Sequence, residues 1–249
     1  MLRRHLLAGT SAMAAWLMTG CREQHPSPMQ ASPMPRSPRY PSIPPLSGTP
    51  ADPARIHQRL EELRLSYEAI GEAVSADLQP PISREALAAQ CSWFPGEIAE
   101  EIYVLYAWRG GQLERDDEPA PSALFWFRDR VFSTPDIARH EYQSMMETYG
   151  PYNSPEISGV DLKSCFPFAS LYGGWYVFPC GGQAIDPAHP RPIINVFQGV
   201  DIYFHSLESM LQTCIEWVRH PQYRSRDAAW DHLEIDIWQK NNPGLFERS

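Results

Sequence analysis

The stretch CFPFASLYGGWYVFPC, residues 165–180, decides the fold. Two short arms rich in aromatic residues meet at Gly173 and Gly174, and arms of that length and composition form strands, so the segment reads as a β-hairpin. Cys165 and Cys180 each lie seven residues from its centre at Tyr172 and Gly173. The four cysteines after Cys21 allow three pairings among which sequence does not choose, but a regular ladder sets Cys165 and Cys180 opposite one another, which makes them the candidate cross-strand disulfide in an oxidising compartment.

Working outward, IINVF (193–197) and DIYF (201–204) read as a second strand pair around Gly199, and SALFWF (122–127) as a buried strand upstream. Helical signals lie on either side. Ile56, Leu60, Leu63, Tyr67, Ile70 and Val74 recur at helical spacing and predict an opening helix that stops before Pro80 and Pro81. A short helix is expected over Ser83–Ala89. In WFPGEIAEEIYVLYAWRGG (93–111), Pro95 marks a start, Glu97, Glu100 and Glu101 fall in the early turns, Ile98, Ile102 and Leu105 form the core face, and Gly110 and Gly111 end the helix. Thr134 caps a helix running to Tyr149 with Pro135 in its first turn. Ser206 caps one that carries Leu207, Met210, Leu211, Cys214, Ile215 and Val218, and Ser225 caps a last one with Trp230, Leu233 and Ile237. Helices at both ends of a run of short antiparallel strands give an α+β fold, a central antiparallel sheet flanked by N- and C-terminal helices. Cys214 on an apolar helix face is expected as a free buried thiol, and Cys91 has no evident mate.

The first fifty residues are of a different kind. Arg3 and Arg4 precede LLAGTSAMAAWLMTGC (6–21), an apolar run too short to span a bilayer, which is the form of an export signal. Leu17, Met18, Thr19, Gly20 and Cys21 resemble the lipobox of bacterial lipoproteins, which implies that residues 1–20 are removed and that Cys21 is lipidated. The alternatives are an ordinary cleaved signal and a cysteine buried in a hydrophobic helix. The adjacent arginines suit the twin-arginine route, and any basic head suits the general one. Arg22 stands where an Asp would favour inner-membrane retention, so the outer membrane is the preferred destination. Residues 22–50 hold nine prolines and a serine at 27, 32, 37, 42 and 47, with almost no aliphatic side chains. Such a segment cannot offset its ordering entropy by burial, and as a polyproline-type spacer it reaches roughly 90 Å. The chain thus divides into a signal (1–20), a lipidated cysteine with its tether (21–50) and a globular domain (51–249).

That domain of 199 residues carries 16 basic and 29 acidic side chains, a net charge of −13. The balance disfavours nucleic acid and anionic membrane surfaces as direct partners, leaving the lipid as the link to the membrane, and favours a basic protein.

Three blocks carry a resemblance. Phe94, Pro95, Glu97, Ile98, Ile102, Tyr103, Tyr106, Gly110 and Gly111 form the first, and Phe166, Pro167, Phe168, Ala169, Gly173, Gly174, Trp175 and Tyr176 the second. The third is Pro192–Val196 followed by Ser206, Leu207, Met210 and Leu211. In this order they resemble the SUKH superfamily, which includes the yeast cell-wall assembly regulator and many bacterial toxin-immunity proteins. The sequence departs from the family pattern at Trp175, where many members place an acidic residue, and in its lipoprotein leader. The resemblance implies a SUKH-like fold and a domain that binds a protein partner. Combined with the leader, it implies a lipid-anchored immunity protein on the periplasmic face of the envelope that neutralises a basic secreted toxin by stoichiometric occlusion. The alternative is an envelope scaffold or regulator.

No enzyme, cofactor or metal site is expected. The chain has no G-x-S-x-G elbow, no H-E-x-x-H, no phosphate-binding glycine loop and no C-x-x-C pair. His140 and Glu141 begin a zincin motif that fails at Ser144. His189 and His205 are candidate ligands for which a hydrogen-bonded surface position is the commoner fate, and the acidic run 114–118 offers oxygen ligands for a divalent cation but is more often a solvated loop. No interface is assigned, although Asp116, Asp117, Glu118 and Trp238 are surface candidates.

Overall fold

The computed structural model describes residues 52–72, 77–112, 127, 130–151, 160–171, 173–180, 190–224 and 228–245, without the side chains of 224 and 228–231. All of them lie in one compact unit, Tyr40–Ser249. Cys21, the tether, SALFWF before Phe127, the acidic run 114–118, His189 and Ser225 lie outside the described residues.

The fold is α+β. Five strands, β1 (Val131–Phe132), β2 (Cys165–Leu171), β3 (Gly174–Pro179), β4 (Ile193–Val196) and β5 (Val200–Phe204), form one sheet in sequence order with every neighbour antiparallel. Six α-helices surround it among the described residues: α1 (Pro53–Ala69), α2 (Arg84–Gln90), α3 (Glu100–Trp108), α4 (Pro135–Thr148), α5 (Leu207–Arg219) and α6 (Ala228–Asn241).

Local chemistry sets most of the boundaries. The Asp52 side chain accepts from the Ala54 N–H at 2.9 Å with Pro53 in the first turn, so α1 starts where its orphan donors are met. Its core face is Ile56, Leu60, Leu63 and Tyr67. The helix ends before Val74: the Gly71 N–H bonds to the Glu68 carbonyl at 2.9 Å, the Glu72 N–H reaches the Tyr67 carbonyl at 3.0 Å, and Gly71 has φ 76°. This is a Schellman closure, and the left-handed residue it needs is the glycine. Ser83 caps α2 by accepting from the Ala86 N–H, and Thr134 caps α4 by accepting from the Ile137 N–H. Ser206 and Ser209 cap α5 reciprocally, each side chain accepting from the other's backbone N–H at 3.0 Å. The expected start of α3 at Pro95 is corrected. Residues 95–99 are not helical, Ala99 is the extended cap, and Glu97 precedes the helix while Glu100 and Glu101 occupy its first turn. Gly96, directly after the proline, weakens any helix begun there.

The sheet buries both faces. On one, Phe166, Phe168, Tyr176, Phe178, Ile193 and Phe204 join the core built by α1, α2, α3 and α5. Trp93 and Phe94, after α2, pack on Phe166 with ring centroids 5.7 and 5.4 Å away. The Tyr106 hydroxyl of α3 donates to the Ser133 carbonyl at 2.8 Å, and complete burial holds its pKa well above the ordinary value. On the other face, Cys165, Trp175, Val177, Ile194 and Val196 form a smaller cluster with Met145 of α4, Val160 and Leu162.

The Cys165–Cys180 bridge is not formed, and both thiols are free. The hairpin pairs Leu171 with Gly174, Ser170 with Trp175 and Ala169 with Tyr176, then skips Phe168 in a β-bulge, so that Pro167 meets Val177 and Cys165 meets Pro179. One extra residue in β2 shifts the remaining ladder by one position. Cys180 then donates its N–H to Ser164 at 2.8 Å, and the two sulfurs belong to opposite sides of the sheet, Cys165 to the smaller cluster and Cys180 to the main core.

The outer strand, β5, is covered by α6. The Trp238 indole N–H donates to the Tyr203 carbonyl at 2.9 Å and the Asn242 side-chain oxygen accepts from the His205 N–H at 3.0 Å, so outward-facing groups of the edge are met by side chains.

Candidate functional site

Among the described residues, His205 and the thiols of Cys91, Cys165 and Cys180 are held in structural surroundings. His205 is buried; its Nε2 lies 2.9 Å from the Pro243 carbonyl and its Nδ1 has no hydrogen-bond partner, so it fastens the chain after α6 to the sheet. Burial pushes the Cys91 thiol up to about 12, with Asp136 adding to the rise. Cys180 is raised to about 11 by burial, against the Ala99 N–H and Arg191, which favour its thiolate, and Cys165 is raised well above the ordinary range by burial. A thiol with a pKa near 11 is on the order of one part in ten thousand thiolate at pH 7, which is poor for a nucleophile. Among the described residues no group of three His, Cys, Asp or Glu side chains is placed to hold a metal ion, and no helix is long and apolar enough to cross a membrane. Trp238 is a core residue, its ring 5.5 Å from that of Tyr203.

The charged face of α1 is saturated with its own ion pairs: Arg64 to Glu61 and Glu68, Arg59 to Glu62, and Glu62 onward to Arg219 of α5. That network ties α1 to α5.

A different arrangement appears where the β2–β3 and β4–β5 turns lie side by side. Phe197, in the turn after β4, is 47% exposed although it is a large aromatic side chain. Its ring lies against Gly174 at the start of β3: a Cβ placed there would meet the Phe197 ring at 3.3 Å and the Arg130 Nη2 at 2.8 Å, so glycine is what lets the three approach. Arg130 is buried on the inner side of the same sheet face, 5.0 Å from the Tyr176 ring centroid, with Nη2 3.4 Å from Asn195 Oδ1.

The turn itself is held in a conformation that its sequence does not prefer. Gln198 has φ 56°, the one positive φ at a non-glycine among the described residues, and its N–H donates to the Tyr149 hydroxyl at 2.9 Å. The Phe197 N–H donates to the Gly199 carbonyl at 3.1 Å. Tyr149, just past the end of α4, is itself fixed edge-on to Trp175 with centroids 5.9 Å apart, and the Trp175 indole N–H donates to Glu141 of α4. Left-handed backbone at a glutamine costs about 1 kcal/mol or more and persists only where its surroundings impose it. Here the imposing group is Tyr149, one element away.

Asp201 completes the surface. It is exposed, pairs across the ladder with Asn195, and so shares the face of Phe197 at the diagonal position. Its carboxylate makes no hydrogen bond or ion pair with any described residue, and it lies near the turn, Oδ2 being 3.5 Å from where a Cβ on Gly199 would stand.

In the sequence, Gly174, Trp175 and Tyr176 belong to the hairpin block, Asn195 to the closing block and Glu141 to a failed zincin motif, but none of these residues is singled out there as a contact group. The available signal was Phe197-Gln198-Gly199, where a large aromatic residue stands in a tight turn that ordinarily takes polar residues. No protein-family model and no curated protein sequence matches the chain.

Proposed function

We propose that the chain is a lipid-anchored immunity protein of the bacterial envelope, held by Cys21 on the periplasmic face, preferentially at the outer membrane. Its SUKH-like domain binds one secreted, basic toxin and blocks it by occupying its surface. The observation that carries the binding part of this reading is Phe197: an exposed aromatic side chain, held on a constrained turn, beside an unpaired carboxylate. Rigid aromatic groups of this kind serve as interface anchors because little entropy is lost when they are buried. The resemblance of the three sequence blocks, which fall on the segment before α3 and α3 itself, the β2–β3 hairpin, and β4 with the start of α5, supports the SUKH part. The leader supports the location.

The test is genetic and biochemical. Deleting the gene should be toxic when a neighbouring toxin gene is intact and harmless when that gene is inactivated, and the purified full chain should bind that toxin in a 1:1 complex that weakens with added salt. An envelope defect on deletion that persists without any toxin gene would overturn immunity in favour of an envelope scaffold.

A further inference from the structure

We infer that Phe197 and Asp201 together form a receptor for an arginine side chain of the basic partner, the guanidinium lying on the exposed Phe197 ring and pairing with the Asp201 carboxylate. This rests on the partner-binding reading above and adds to it the chemistry of the contact. The ring lies against Gly174 at its Cδ2, the residue is 47% exposed, and the ring has no aromatic ring contact with any described residue. Asp201 stands diagonally across the β4–β5 ladder on the same face, exposed and unpaired. Diagonal ladder neighbours are roughly 7–8 Å apart, a span that a planar guanidinium bridges while stacking on one residue and donating to the other. A lysine ammonium, as a compact point charge, satisfies the carboxylate but covers the ring less well. The net charge of −13 over residues 51–249 adds long-range attraction for a basic protein. The competing cation is Arg130, which reaches the inner side of this face and already has Asn195 and the Tyr176 ring as contacts, leaving Asp201 on the outside.

The receptor is preorganised. The Tyr149 hydroxyl holds the Gln198 N–H, which fixes the turn and hence the ring, so the arginine meets a surface that need not order itself on binding.

The experiment uses the full chain in mild detergent and two probes: a fluorescent nonapeptide carrying three arginines spaced by glycine, and the same peptide with citrulline in their place. Fluorescence anisotropy at low salt is expected to show binding of the arginine peptide and none of the citrulline peptide. Phe197→Ala and Asp201→Asn should each weaken the arginine peptide by between about 3-fold and 30-fold. Phe197→Leu, which keeps an apolar group and removes the ring, should behave as Phe197→Ala does. Unchanged thermal midpoints establish that the variants are folded. Binding of the arginine peptide by both variants at the wild-type affinity, or equal binding of the two peptides, would overturn the inference. The same variants are then tested against the toxin identified genetically. If they bind it as tightly as wild type, the arginine receptor is wrong and immunity stands. If peptide binding depends on Phe197 and Asp201 but no toxin is found, the receptor stands and immunity falls.

Discussion

Replacing Asn242 by Ala removes the group that closes the outer edge of the sheet. Asn242 and His205 are 1% and 7% exposed, so the His205 N–H, bonded at 3.0 Å to the Asn242 Oδ1, loses its acceptor where water does not reach it. Two further bonds go with the amide, to the Trp238 carbonyl at 3.0 Å and to the Thr213 Oγ1 at 3.3 Å. Those partners are left provided for: the Trp238 carbonyl still accepts from the Asn242 N–H at 2.9 Å, and the Thr213 hydroxyl still donates to the Ser209 carbonyl at 2.7 Å. The cost therefore falls on the His205 N–H, about 1–3 kcal/mol for a buried unsatisfied donor, with about 1 kcal/mol more for the emptied volume. A loss of about 2–4 kcal/mol in urea unfolding is expected, with an unchanged m-value, equivalent to a melting point lower by on the order of 10 °C for a domain of this size. Trp238→Phe supplies a companion, since it keeps a ring but removes the donor to the Tyr203 carbonyl together with part of a buried indole. The lost bond should contribute about 1 kcal/mol, because a carbonyl that loses one partner is better tolerated than an orphaned N–H, and the emptied volume adds to it. The reasoning is refuted if Asn242→Ala lies within about 0.5 kcal/mol of wild type.

Other expectations follow from the same contacts. For Glu61 and Glu62 burial raises the pKa, but the Trp108 indole and Arg64 on the first, and Arg59 and Arg219 on the second, lower it more, so both finish below 4.5. Depressed carboxylates stabilise the fold above their unfolded value and lose that contribution as pH falls through the folded value, so stability should decline below about pH 4.5, and Glu61→Gln with Glu62→Gln should flatten the decline in urea midpoints measured from pH 6 to pH 3. The thiols of Cys91 and Cys180, raised to about 12 and about 11, should resist iodoacetamide at pH 8 in the folded protein, and all four cysteines of residues 51–249 should take up the label in denaturant without reductant; rapid labelling of the native protein, or two thiols missing by mass, would contradict the described register. Gly174→Ala should cost about 1–2 kcal/mol, since its Cβ displaces Arg130 and the Phe197 ring, and an unaltered midpoint would show that the turns are less closely packed than described.

Most of the secondary structure was legible because the signals were short-range and chemical. Thr134 and Ser206 were each read as caps and each accepts the expected backbone hydrogen. The helix misjudged at Pro95 shows the limit of this approach: a proline compatible with a first turn does not start a helix when glycine follows it. The overlong first helix was a failure of periodicity, which carried Val74 along and missed the glycine that closes the chain at residue 71. The expected Cys165–Cys180 bridge does not fit the described register, for a tertiary reason. A symmetric hairpin would have joined Cys165 and Cys180, but the adjacent residues Phe168 and Ala169 both enter the main core, which takes a bulge, and no local pattern announces one. The Phe197 surface was hidden for the same reason, because its strain, its glycine backing and its tyrosine support come from three separate segments.

The cover on β5 also bears on the order in which the chain becomes safe. Trp238 and Asn242 lie more than thirty residues after the strand they protect. A chain emerging from its N-terminal side therefore presents an open sheet edge, with Tyr203 and His205 available to any other extended segment, until its last helix arrives. Folding and protection against strand pairing are completed by the same final event, and a chain cut before Trp238 retains the sheet-forming sequence without its guard.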